Sequence, residues 1–267
     1  MIKTIDMNLK FQVSSDLHID CNKFPNFTDY IIPSAEILIL AGDIGNPMDD
    51  MYENFLLMAA KYFKKVYIIC GNHEFHTNDK SITIDIILQK IMSIINKAPN
   101  ILHFLNNNYD VIGNIRIVGT TLWSYNDVIK NKEYIEKTFG DYNNIFYKPN
   151  VPINIDYTNV QFVRNVSFLK DQIIASIIND QKLIVISHHS PITNITSETK
   201  FKNHIYSQCF ASKLEYYLNK KLIHTWIYGH THYNVDIQNN INTRLVSNQL
   251  GNYPITSTYN KNFVINI

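Results

Sequence analysis

Five short apolar runs in this chain each end in a cluster of carboxylate, amide or imidazole residues. Leu9 to Val13 leads into Asp16-Leu17-His18, and Ile37 to Leu40 into Gly42-Asp43. Val66 to Ile69 leads into Gly71-Asn72-His73-Glu74, Leu183 to Ile186 into His188-His189, and Ile223 to Tyr228 into Gly229-His230-Thr231-His232. Runs this short and this apolar read as buried strands. In α/β sheets, ligands gather outside the carboxyl ends of the strands. Five such ends can therefore converge on one spot.

The segments between the strands have helical spacing. Asp50 to Lys64, Ser81 to Asn96, Thr158 to Asn179 and Ser207 to Lys220 read as helices, with Ser81 as an N-cap. Val111 to Val118 holds Gly113-Asn114, a hairpin signal. Val235 to Ile237, Arg244 to Val246 and Phe263 to Ile267 read as further strands. Alternating β and α elements followed by several strands predict an α/β fold with a mixed sheet, or two sheets packed face to face with helices outside. Residues 1–267 are expected to form one domain. The stretch 124–157, rich in Asn, Tyr and Pro, is expected as an irregular insert on the substrate side.

Composition excludes several classes. The formal net charge is +1, which supplies no basic field for nucleic acid. No apolar run is long enough to span a bilayer, and the N-terminus does not read as a signal peptide. Cys21, Cys70 and Cys209 lack metal-site spacing and read as reduced thiols, so a cytoplasmic location is expected.

Imidazole nitrogen, carboxylate oxygen and amide oxygen together suit borderline divalent metals. Each cluster alone has an ordinary reading. Asp16-Leu17-His18 could be a capped turn, Gly42-Asp43 a strand-ending turn, Gly71-Asn72-His73 a hydrogen-bonded loop, and His188-His189 could include a core histidine. Gly229-His230-Thr231-His232 is more specific, because alternate residues of extended backbone point the same way and glycine permits close approach.

Taken in order, Asp16-x-His18, Gly42-Asp43, Gly71-Asn72-His73-Glu74, His188 and Gly229-His230-x-His232 resemble the calcineurin-like metallophosphoesterases over nearly the whole chain. The resemblance implies two β-sheets sandwiched between helices, with two divalent ions at one edge. Manganese, iron, zinc, nickel and magnesium are the candidate metals. It implies that Asp16, His18 and His232 hold one ion, that Asn72, His188 and His230 hold the other, and that Asp43 bridges them. His73 is expected outside the metals, facing substrate. Two cations ~3.5–4 Å apart can share a hydroxide and clamp an in-line displacement at phosphorus. A nearby imidazole can protonate the leaving oxygen.

One motif departs from part of the superfamily. Its protein serine/threonine phosphatases carry Asp-Arg-Gly after the second motif. Here that stretch is Asp43-Ile44-Gly45-Asn46-Pro47, with Asn46 in place of a carboxylate and Pro47 in place of a phosphate-gripping arginine. The resemblance is closer to small bacterial-type phosphoesterases and cyclic-nucleotide phosphodiesterases.

Among the other residues, His189 reads as packing behind the ligands or as their hydrogen-bond support. Glu74 is expected to orient a backbone or ligand group. His76, His103, His204 and His224 lack partners at metal spacing. Trp123, Tyr125 and Asn126 could line a pocket, or Trp123 could fill the core. Lys200, Lys202 and His204 could attract phosphate, or the lysine pair could lie on a solvated face. Arg244 reads as a surface strand residue and Cys70 as inert packing.

The leading expectation is a dimetal phosphoester hydrolase acting on a phosphodiester or nucleotide-type substrate. A phosphomonoesterase on the same site is the alternative. A nuclease would want a basic groove, and a catalytically silent binding protein would have lost ligands, yet all seven positions are filled.

Overall fold

The computed structural model describes residues 9–127, 131–201, 204–219, 221–238, 243–251 and 258–267. The chain begins with β1 (Lys10–Ser14), the short helices α1 (Ile19–Asn22) and α2 (Phe27–Tyr30), β2 (Ile37–Ala41), α3 (Asp50–Tyr62) and β3 (Lys65–Ile69). A 3-10 turn at His73–Phe75 precedes α4 (Ile84–Ile95), β4 (Leu102–Phe104), β5 (Asn108–Ile112) and β6 (Ile115–Thr120). Next come α5 (Lys132–Thr138), α6 (Asp141–Asn144), the hairpin β7 (Phe146–Lys148) and β8 (Val151–Pro152), the long helix α7 (Ile155–Ile178), and β9 (Lys182–Ser187). The last part holds α8 (Ser207–Phe210), β10 (Thr225–Ile227), β11 (Val235–Gln238), β12 (Arg244–Ser247) and β13 (Val264–Asn266).

Two mixed sheets face each other, which is one of the two arrangements the strand pattern allows and the one the family resemblance implies. One has the order β13-β1-β2-β3-β4 and the other β11-β12-β10-β9-β6-β5. Side-chain alternation along each strand decides what faces what. From the first sheet, Phe11, Val13, Ile37, Ile39, Tyr67 and Ile69 join Ile117, Ile184, Ile186, Ile227 and Val246 of the second in one buried layer between the sheets. The alternate residues Leu38, Leu40, Val66 and Ile68 pack outward with Leu56 of α3 and Ile87, Ile91 and Ile94 of α4. On the other face, Val118, Val185, Trp226 and Leu245 pack with Val166, Leu169 and Ile173 of α7. Strands buried on both faces explain why these runs are almost continuously apolar.

Local expectations mostly shift by a residue or two. Gly113-Asn114 makes the two-residue turn of the β5–β6 hairpin, where Ile112 pairs with Ile115. Helix α4 starts later than expected. Ser81 is not its cap, because its N–H and hydroxyl both donate to Asp79 Oδ1, at 2.9 and 2.7 Å, in a preceding turn. Helix α7 starts earlier, at a cap where Asn154 Oδ1 accepts from Tyr157 N at 2.9 Å.

The helix expected from Ser207 to Lys220 does not form as one piece. Only α8 and a 3-10 turn at Glu215–Tyr217 are present. Ser190 N donates to Phe210 O at 3.1 Å and Ser212 N to Ser190 O at 3.0 Å, which holds this point of the chain extended. A non-local bridge has overridden helical periodicity. Lys220 itself lies outside the described residues.

Within 124–157, α5, α6 and the β7–β8 hairpin are anchored by Ile135, Tyr142, Ile145 and Ile153, all buried against the α3–α4 side of the core. Among the described residues, no helix is long and apolar enough to cross a membrane. The three cysteines are unpaired, with Cys70 and Cys209 buried and Cys21 exposed.

Candidate metal centre

Strands β1, β2 and β3 run parallel, and so do β9 and β10. Their carboxyl ends carry Asp16 and His18, Asp43, Asn72 and His73, His188 and His189, and His230 and His232. The structure brings all of these to one edge of the sandwich. Asp16, Asp43 and His188 are fully buried, and His18, Asn72 and His230 nearly so.

Possible ligand atoms of Asp16, His18 and His232 lie within 4.8 Å of one another, and so do those of Asp43, His188 and His230. A third such group, His18, Asp43 and His73, joins the two. Asp43 Oδ2 lies 3.2 Å from His188 Nε2 and 3.8 Å from His18 Nε2, so one carboxylate oxygen faces both halves. Asn72 Oδ1 lies 3.1 Å from His188 Nε2. Its Nδ2 is turned the other way and donates to Asp141 Oδ1 at 2.8 Å, which orients the amide oxygen toward the group.

Two buried polar atoms here, Asp43 Oδ2 and His230 Nε2, have no hydrogen-bond partner. Unsatisfied buried polar atoms are costly and call for an explanation. Both belong to residues of one candidate group, where a bound cation could satisfy them. The residues therefore fit a pair of divalent ions.

Backbone strain concentrates at the same edge. Asp16, His18, Asp43, His230 and His232 all have left-handed φ, between 43° and 70°. Non-glycine residues in this region cost about 1–3 kcal/mol each and persist where surrounding structure holds them. The holding contacts are visible. Asp16 Oδ1 accepts from His230 N at 2.9 Å, and His73 N donates to Asp43 Oδ1 at 2.9 Å. Glu74, fully buried, accepts from Asp43 N, Ile44 N and Gly71 N at 2.9, 2.7 and 2.6 Å. It thus ties the second and third strand ends together. Glycine is required at Gly71, where a Cβ would fall 2.1 Å from Asp43 Oδ1, and at Gly42, with φ +89° and a Cβ 2.6 Å from His188 Nδ1.

The electrostatics suit cations. Burial raises the Asp43 carboxyl, but the imidazoles of His188, His73 and His18 outweigh it and hold it well below its usual value. Burial lowers His188, yet Asp43 and Asp16 reverse this and push it up to about 10. A proton is thus drawn to the place where a metal would sit. Burial drives His18 down to about 4 and His230 well below its usual range, which keeps both neutral as metal ligands must be. Burial, reinforced by the charge of Asp43, pushes Glu74 up to about 8.

The site forms the floor of a cavity of about 610 Å³. An aromatic wall rises from it. Phe210 stacks on the ring of His230, with centroids 4.6 Å apart, and Phe139 touches both Phe210 and Tyr206 at 5.6 and 5.5 Å. Among the described residues, no lysine or arginine lines the cavity, whereas Glu198 and Asp141 do.

A family model described as calcineurin-like phosphoesterase matches residues 9–234. The chain belongs to the calcineurin-like phosphoesterase family. This phosphoesterase is 31% identical over 257 residues to "Uncharacterized protein L509" of Acanthamoeba polyphaga mimivirus, a match that covers 89% of each chain. Its fold is similar to that of the phosphopantetheinyl hydrolase PptH from Mycobacterium tuberculosis, with TM-score 0.71 and 15% identity over 98% of this chain and 97% of that one. A dimetal phosphatase from Danio rerio gives TM-score 0.52 and 13% identity over 91% and 87%. Family membership makes the protein a metal-dependent phosphoesterase, and the ligand groups described above are its candidate metal positions.

Sequence reasoning passed over several residues. His76, read as ordinary, does line the cavity, stacked on His73 with centroids 4.3 Å apart, and His204, weighed as a phosphate contact, lines it too. Asp141 carries no motif signal at all, and only the folding of α6 onto the site reveals it. Phe139, Tyr206 and Phe210 were equally silent, because they come from two segments distant in sequence. Other positions take the plainer of their two readings. Trp123 is buried against His189 and Phe75, and Lys200 pairs with Glu198 on the surface. Tyr125 is exposed beside Phe162, and Asn126 N bonds Asn159 Oδ1 at 2.8 Å. Arg244 pairs with Asp236 on β11. His189 packs behind His230, with ring centroids 4.2 Å apart. Asn46 Oδ1 turns away to accept from Met48 N at 2.9 Å. Lys202 lies outside the described residues.

Proposed function

We propose that this phosphoesterase hydrolyses small phosphodiesters or nucleotide-type phosphoesters on two divalent ions. In this reading Asp16, His18 and His232 hold one ion, Asn72, His188 and His230 hold the other, and Asp43 serves both. The carrying observation is the buried Asp43 Oδ2, which has no hydrogen bond and faces both ligand groups, 3.2 Å from His188 Nε2 and 3.8 Å from His18 Nε2. Two bound ions supply Lewis acidity and an acidified water beside phosphorus.

The chain's own residues do the rest. His73 stands at the cavity next to His18 and Asp43 but off the two main ligand groups, where its imidazole can hold the proton the leaving oxygen needs. The aromatic wall offers a face to a flat or apolar ester group. The cavity gives a dianionic monoester no described lysine or arginine to offset its second charge. A singly charged diester needs none, and this supports the diester reading.

Metal-loaded protein assayed against nitrophenyl mono- and diesters, a nucleotide and a phosphopeptide tests the proposal. Faster turnover of the diester or nucleotide than of the phosphopeptide is expected. A strong preference for the phosphopeptide rejects it.

A further inference from the structure

Asp141 is a buried carboxylate far from the ligand motifs in sequence, only 4% exposed, at the start of α6. Its Oδ1 accepts two hydrogen bonds, both at 2.8 Å, from Asn72 Nδ2 and from His76 Nε2. The first bond decides which end of the Asn72 amide faces His188. The second anchors His76, whose ring lies nearly parallel to that of His73 at a 28° interplanar angle. The ring of His73 also meets that of His18 edge-on, with centroids 4.7 Å apart and planes at 77°. The described residues supply no hydrogen bond to the ring of His73. Its plane is therefore set by packing, and one of its two ring contacts is a ring held by Asp141.

We propose that Asp141 is a positioning residue that aligns two separate parts of the site at once, the amide oxygen of Asn72 for a metal ion and, through His76, the imidazole of His73 for the leaving group. The inference rests on the ligand and proton-donor roles proposed above for Asn72 and His73. Its physical basis is ordinary. Groups that orient a metal ligand from behind typically change metal affinity ~10–100-fold when removed. Misplacing a reacting group by ~1 Å can cost ~10²-fold in rate. A purely structural carboxylate would hold α5 and α6 in place and do neither.

Two substitutions separate the possibilities. Asp141→Ala removes the acceptor, while Asp141→Asn keeps an oxygen that can accept from both donors. Mn²⁺ affinity measured by calorimetry on the full chain, without substrate, reads the Asn72 arm. The ratio of turnover on an alkyl ester to that on a nitrophenyl ester reads the His73 arm. Asp141→Ala is expected to weaken one of the two Mn²⁺ sites ~10–100-fold and to lower the alkyl-to-nitrophenyl ratio by at least ~10-fold, with Asp141→Asn close to wild type on both. Wild-type Mn²⁺ affinity and an unchanged ratio in Asp141→Ala overturn the proposal, and so does an Asp141→Asn variant as impaired as the alanine. Should Asp141→Ala lose its circular-dichroism signal, His76→Phe decides, because it keeps a stacked ring without the bond to Asp141. It must leave Mn²⁺ affinity unchanged and lower the ratio, and an unchanged ratio rejects the His73 arm. If His73 is not the proton donor at all, His73→Asn will slow both esters equally while the calorimetric result stands, so that failure is separable from this one.

Discussion

The floor and the wall of the cavity are built by different means. The floor consists of strand ends. Its ligand candidates are almost all buried, five of them sit at left-handed φ, and Glu74 and Gly71 lock neighbouring ends together. The wall consists of short helices and loops from two insertions between strands, and its aromatic residues Phe139, Tyr206 and Phe210 are only partly buried. A floor that is strained and over-determined fixes distances between charges. A wall that is short-range and half-exposed can vary without disturbing them. On the proposed reading the first region carries the chemistry and the second the choice of substrate, and that reading can be broken.

The largest effect is expected on the floor. Asp43→Asn removes the one carboxylate that faces both ligand groups, and turnover of every substrate should fall by at least ~10³-fold, the upper range for losing one preorganised electrostatic group. Circular dichroism should show the fold intact. Retention of wild-type turnover at saturating metal would end the bridging assignment. His73→Asn comes next. It should keep two metals per chain by elemental analysis and slow an alkyl ester ~10²–10⁴-fold, with a much smaller effect on a nitrophenyl ester whose leaving group needs no proton. Loss of metal in this variant would move His73 into the ligand set.

On the wall, Phe210→Ala and Tyr206→Ala should act on KM more than on kcat. Stacking on an aromatic side chain is worth about 1–3 kcal/mol, so KM for a nucleotide ester should rise ~5–150-fold while that for a methyl ester barely moves. Equal changes for both esters would erase the distinction between the two regions. The smallest effect is thermal. Ions at ~1,000 times their dissociation constant stabilise by about 4 kcal/mol, which for a chain of this size is a Tm rise on the order of 10 °C. Chelation should therefore lower Tm in the wild type but hardly in Asp43→Asn. A chelator-insensitive wild type would mean that the strained strand ends are held without metal.

The sequence determined the floor. Buried strands need continuous apolar runs, and the residues directly after them lie at the sheet's edge, so the convergence of Asp16, His18, Asp43, Asn72, His188, His230 and His232 was legible from the order of five clusters, although each cluster alone had an ordinary reading and the ligand roles came from the family resemblance. The need for glycine at Gly42 and Gly71 came only from the structure, where a Cβ would collide with the group being assembled. The tertiary structure decided the wall. Asp141 meets Asn72 across 69 positions of chain, and Phe139 meets Phe210 across a comparable gap. No period of 2 or 3.6 residues encodes a contact of that kind. The same limit undid the helix expected after Ser207, where a backbone bridge from Ser190 outweighs a favourable apolar spacing. Local sequence sets which backbone shapes are cheap, whereas contacts between distant segments depend on how whole layers pack, and only the packed molecule contains that information.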